Sequence, residues 1–170
     1  MLLTRLKAQA FRAYYNWINR KVWLGHTTGH DINTSHLVIP VRAGDMRARM
    51  YHGSRDRPLI IYYHGGGWCI GNLDTHDAFC RALAEASGCT LVALDYRLAP
   101  EHPFPAAHDD CLDGTQWLLA HIDNLAPNNG TAVLAGDSAG GNLTAATGAS
   151  LLPNPTIVGT CMIYPATEHY

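Results

Sequence analysis

The segment Gly136-Asp137-Ser138-Ala139-Gly140-Gly141 constrains this chain more than any other, because small residues crowd both sides of a single serine. The apolar run Thr131-Ala132-Val133-Leu134-Ala135 precedes it and Asn142-Leu143-Thr144-Ala145-Ala146-Thr147 follows, so it reads as a buried strand, a sharp turn and a helix. A turn that tight excludes side chains beside the serine and presents the hydroxyl at its apex. Only 32 residues follow Ser138.

A second segment of the same kind lies 74 residues upstream, where Pro58-Leu59-Ile60-Ile61-Tyr62-Tyr63 runs into His64-Gly65-Gly66-Gly67-Trp68. Three glycines directly after a buried strand leave backbone N–H groups free to point at a developing oxyanion. Each segment alone has a plain reading, a strand-helix turn or a flexible loop. Both together, in this order, point to nucleophilic chemistry on a carbonyl.

These two segments, with Asp95-Tyr96-Arg97-Leu98-Ala99-Pro100-Glu101-His102-Pro103-Phe104-Pro105-Ala106-Ala107 between them, resemble the hormone-sensitive-lipase-like branch of the α/β-hydrolases. The resemblance runs from about Val38 to the last residues, and the central block is the most family-specific part. It implies carboxylesterase or lipase activity on short or medium acyl esters, without cofactor or metal. It also implies that Ser138 is the nucleophile and that the N–H groups of Gly66, Gly67 and Ala139 form the oxyanion hole. His64 and Gly65 then belong to the oxyanion motif, His64 organising the loop rather than acting as base.

The chain has 170 residues, 47% of them hydrophobic, enough for one domain that buries roughly 70% of its unfolded surface. A net charge of −2 with no run of like charges argues against nucleic acid or an anionic membrane as partner, and favours a small neutral substrate. Cys69, Cys80, Cys89, Cys111 and Cys161 are scattered, without metal-ligand spacing, and read as reduced, mostly buried thiols of a cytoplasmic protein. Arg5 and Lys7 interrupt the first apolar residues, so no signal peptide is expected, and no run is long enough to span a membrane.

Leu3, Leu6, Ala10, Tyr14, Trp17 and Ile18 recur at three- and four-residue steps, which predicts an amphipathic helix over 2–19 packed on the domain through that face. By the resemblance, this helix and the polar loop at 25–34 form a cap-type segment, 1–34, ahead of a hydrolase domain over 35–170. Strands at 36–42 and 46–52 read as an edge hairpin. Strands at 58–63, 90–95, 131–135 and 156–163 then alternate with helices at about 75–87, 106–122 and after Ser138, which is the pattern of a mainly parallel sheet with helices on both faces. Asp74 is expected to cap the first of these helices and Gly88 to stop it. Asp95, Arg97, Glu101 and His102 are expected to brace their loop by mutual ion pairs and backbone hydrogen bonds.

A serine hydroxyl needs a histidine to take its proton and an acid to orient that histidine, and the family order is serine, acid, histidine. Downstream of Ser138 stand only Glu168 and His169, adjacent to each other. They are candidates for a substitute acid and base, although adjacent residues cannot arrive on separate strand-end loops as the family's do, and His64, His102 and His108 are further candidates for the base. The expected fold is therefore an α/β-hydrolase without its C-terminal strands, a partial esterase weak or inactive alone. Its last strand would be an open edge prone to self-association. The alternatives are a non-catalytic ligand-binding protein and a non-functional fragment of an esterase.

Overall fold

A computed structural model of the chain describes residues 2–22, 29, 31–126 and 128–167. Among these residues six strands form one sheet in the order β1-β2-β4-β3-β5-β6. β1 (Thr34–Val41) and β2 (Gly44–Tyr51) make an antiparallel hairpin, with Thr34 opposite Tyr51 and Val41 opposite Gly44. β2 joins β4 (Leu91–Leu94) antiparallel, while β3 (Leu59–Tyr63), β4, β5 (Ala132–Asp137) and β6 (Ile157–Ile163) run parallel. The expected strands are all present, with ends shifted by one or two residues.

Alternation along β3 divides the core into two layers, because successive side chains of a strand point to opposite faces. Leu59, Ile61 and Tyr63 pack with Val92, Leu94 and Leu134 under α3 (Ala106–Ala120) and α5 (Ala139–Leu151). Ile60 and Tyr62 pack with Leu91, Ala93 and Ala135 against α2 (Asp77–Ser87), through its buried Cys80 and Ala84. Helices thus lie on both faces, and the parallel strands read as continuous apolar runs for that reason. α3 stops at Ala120, and a further turn, α4 (Ile122–Leu125), follows His121.

Four expectations are corrected. The residue before α2 is His76 rather than Asp74; Asn72 Oδ1 instead accepts from the N–H groups of Asp74 and Thr75, and Asp74 pairs with Arg49 at 2.6 Å. Gly88 does end α2, in the left-handed region with φ 65°. The Asp95 to His102 loop does carry a backbone hydrogen bond, His102 N to Leu98 O, but its ion pairs reach outside it: Asp95 binds Arg47, Arg97 binds Asp110, and Glu101 binds Arg12. Of the five thiols, all free, only Cys80 and Cys111 are buried, Cys69 and Cys161 being exposed.

Lastly, α1 (Leu2–Val22) docks by the face opposite to the expected one. Arg12 donates to Cys69 O at 2.6 Å, to Ala99 O at 2.6 Å and to both Glu101 oxygens at 2.8 and 3.0 Å, and Asn72 donates to Asn16. Leu6, Tyr14 and Trp17 are each more than half exposed. One guanidinium satisfied by two carbonyls and a carboxylate fixes the helix orientation more specifically than an apolar stripe can. β6 lies at the sheet edge, with Val158 and Met162 exposed.

Candidate active site

β5 ends at Asp137 and α5 begins at Ala139, so Ser138 alone makes the turn, with φ 52° and ψ −117°. That conformation is strained for a residue with a Cβ, and it persists only where the surroundings hold it. Ser138 N donates to Ile163 O at 2.9 Å, and Ser138 O accepts from Asn142 N at 3.1 Å and from Ala166 N at 3.0 Å. Asn142 Nδ2 also donates to Ala166 O at 2.9 Å, tying the chain beyond β6 to the turn. A Cβ at Gly140 would collide with the Tyr63 carbonyl and one at Gly136 with the Gly140 carbonyl, so the motif's glycines answer to close backbone approach.

Beside this turn, the loop after β3 runs through Gly66 (φ 125°), Gly67 (φ 57°) and Trp68 (φ 58°). Gly66 O accepts from Cys69 N and Ile70 N, closing the loop on itself. Among the described residues, the N–H groups of Gly66, Gly67 and Ala139 have no acceptor. Ala139 also stands at the positive end of the α5 dipole.

Asp137 joins the loop to the turn. Its carboxylate is buried and accepts from Tyr62 Oη at 2.5 Å and from Gly65 N at 2.8 Å, with His76 Nε2 at 3.6 Å. Burial opposes its charge, yet His76, the Tyr62 hydroxyl and the Gly65 N–H together hold it below the usual carboxylate range. A Cβ at Gly65 would strike this carboxylate, which explains the first glycine of the loop.

His64 is buried and stacks on Tyr96 at 4.3 Å, and Tyr96 Oη donates to His64 O at 2.6 Å. Its Nδ1 donates to Gly65 O at 2.9 Å, so Nε2 is the unprotonated nitrogen. Burial, with His76 adding to it, lowers its pKa to about 4, so the ring is neutral near pH 7. It organises the loop. His102 and His108 line a neighbouring cleft of about 410 Å³, whose walls include Gly67, Ala99, Phe104 and Leu143. Among the described residues His64 Nε2 has no hydrogen-bond partner, and no hydrogen bond joins Ser138 Oγ to His64, His102 or His108. Glu168 and His169 lie outside the described residues.

Ser138, Gly65, Gly66, Gly67, Ala139 and His64 were all legible as motif positions, whereas Tyr62, His76, Tyr96 and Arg12 were not. Strand parity puts Tyr62 on the α2 face, but nothing local links it to a carboxylate 75 residues away. Among the described residues no three His, Cys, Asp or Glu side chains gather as a metal site would require, and no helix is long and apolar enough to cross a membrane.

A parallel sheet carrying a strained serine between a strand and a helix defines a class, and the family profile described as the alpha/beta hydrolase fold matches residues 60–170. The chain belongs to that family. It is 40% identical over 146 residues to the carboxylic ester hydrolase LipN of Mycobacterium tuberculosis, covering 81% of this chain and 39% of LipN. Esterase LipI of the same organism is 40% identical over 138 residues, covering 77% of this chain and 43% of LipI. Among solved structures, the Pyrobaculum calidifontis esterase superposes with a TM-score of 0.83 at 39% identity, over 94% of this chain and 53% of that one. The chain thus spans about two fifths of these curated relatives and about half of the solved esterase.

Proposed function

We propose that this chain carries the nucleophile and oxyanion half of a carboxylic ester hydrolase site. Ser138 Oγ attacks the ester carbonyl, the N–H groups of Gly66, Gly67 and Ala139 hold the resulting oxyanion, and collapse expels the alcohol and leaves an acyl group on Ser138. Water then releases the acid. The observation that carries this reading is the tie from Asp137 Oδ1 to Gly65 N, 2.8 Å long, which locks the N–H-bearing loop to the strained serine turn. Glu168 and His169 are the proposed substitute acid and base, His169 taking the Ser138 proton and giving it to the departing alcohol. The apolar cleft beside Gly67 suits short and medium acyl or alcohol groups. The docking of α1 on the carbonyls of Cys69 and Ala99, both at the cleft, supports 1–34 as a cap-type segment on a 35–170 domain.

p-Nitrophenyl acetate tests the proposal, because its leaving group departs without a proton. Acid-quenched mass spectrometry should find an acetyl adduct on the peptide containing Ser138, and Ser138→Ala should lower p-nitrophenolate release at least tenfold. Equal release by the two proteins, with no adduct, would refute it. Binding of the ester without any adduct would favour the ligand-binding reading.

A further inference from the structure

The net charge of −2 conceals a segregation. α1 holds five basic residues (Arg5, Lys7, Arg12, Arg20 and Lys21) and no acidic one, while the rest of the chain holds seven basic residues and all fourteen acidic ones. Arg12 is consumed in docking the helix. Arg5, Lys7, Arg20 and Lys21 are exposed and, among the described residues, make no ion pair.

The apolar face of α1 points the same way as part of this charge. Leu6, Ala10, Tyr14, Trp17 and Lys21 follow one another by three or four residues and form one row, with Lys7 beside it. Arg12 and Asn16, on the docked side, are two positions out of step with that row, about 200° around the helix. Leu6, Tyr14 and Trp17 are 53%, 57% and 55% exposed, and Phe11 and Val22 add 55% and 58% at the flank. Tyr14 stacks on Trp17 at 6.3 Å, and Lys21 Nζ stands 5.1 Å from the Trp17 ring centroid. A face of Trp, Tyr and Leu edged by lysines, without acids, is complementary to the headgroup region of an anionic bilayer.

We propose that α1 is an interfacial docking helix that seats the protein on an anionic lipid surface, with its Leu6–Tyr14–Trp17 row in the headgroup region and Lys7 and Lys21 on lipid phosphates. Arg12 fastens the same helix to the carbonyls of Cys69 and Ala99, two residues of the cleft wall, so a surface that holds α1 holds the cleft beside it. Docking itself does not depend on ester hydrolysis.

The test is co-sedimentation of the full chain with phosphatidylcholine vesicles, with and without about one-third phosphatidylglycerol. Partitioning should be at least tenfold stronger on the anionic vesicles and should fall with added salt. Lys7→Gln with Lys21→Gln should weaken it at least tenfold, about fivefold for each charge. Trp17→Ser should weaken it on both vesicle types; these side chains are exposed, and an unchanged circular dichroism spectrum confirms folding. Ser138→Ala should bind as the parent does, which separates this claim from the catalytic one. No sedimentation with anionic vesicles, or equal partitioning of the variants, would overturn the proposal. So would a Trp17-dependent dimer in size exclusion without vesicle binding, which would assign the face to a second copy of the chain.

Discussion

At the scale of single residues, the site depends on buried groups whose protonation is set by their surroundings. His64 is neutral in the folded chain because burial lowers its pKa from 6.5 to about 4. Between those values the unfolded chain binds the proton that the folded chain refuses, so stability rises with pH there. The contribution is complete above pH 6.5, is lost as pH falls toward about 4, and amounts to about 3 kcal/mol. Urea melts of the parent and of His64→Gln across this window should show the steeper loss in the parent. Equal slopes would place the titration elsewhere. Ser138 and the three loop glycines were legible because their motif encodes local backbone geometry. The Asp137 cluster was not, since its partners Tyr62, Gly65 and His76 meet it only through the folding of β3, β5 and α2.

At the scale of elements, apolar runs marked β3, β4 and β5, because a doubly covered parallel sheet leaves no polar face to disguise the period, whereas the hairpin strand β2 was marked by alternation of Met46, Ala48 and Met50 with Arg47 and Arg49. The orientation of α1 was not legible. Its three- and four-residue apolar period is a core-facing signal, but Arg12 finds partners 57 to 89 residues away that no local pattern announces. Arg12→Ala is therefore expected to loosen α1 selectively. Amide exchange across residues 5–20 should quicken at least tenfold while β3, β4 and β5 keep their protection. Uniform acceleration would mean that Arg12 supports the whole fold, and no acceleration that the helix is held by something else. The cap of α2 was misread for a similar reason, since Asn72 and Asp74 both suit that turn and Arg49 draws Asp74 away.

At the scale of the whole molecule, the sheet brings the ends of β3 and β5 side by side. The Gly65 to Gly67 loop and Ser138 thereby share one rim, although 71 residues separate Gly67 from Ser138. α1 closes over that rim through Arg12, and the chain beyond β6 returns to Ser138 through Ala166. This rim is proposed to make Ser138 a nucleophile. Prolonged exposure of the purified chain to a fluorophosphonate, with peptide mass spectrometry and Ser138→Ala as control, tests it most directly. A single phosphonyl adduct is expected, on Ser138, absent from Ser138→Ala and slower to form in His169→Ala. A folded chain that gains no adduct, or one whose adduct persists in Ser138→Ala, would contradict it.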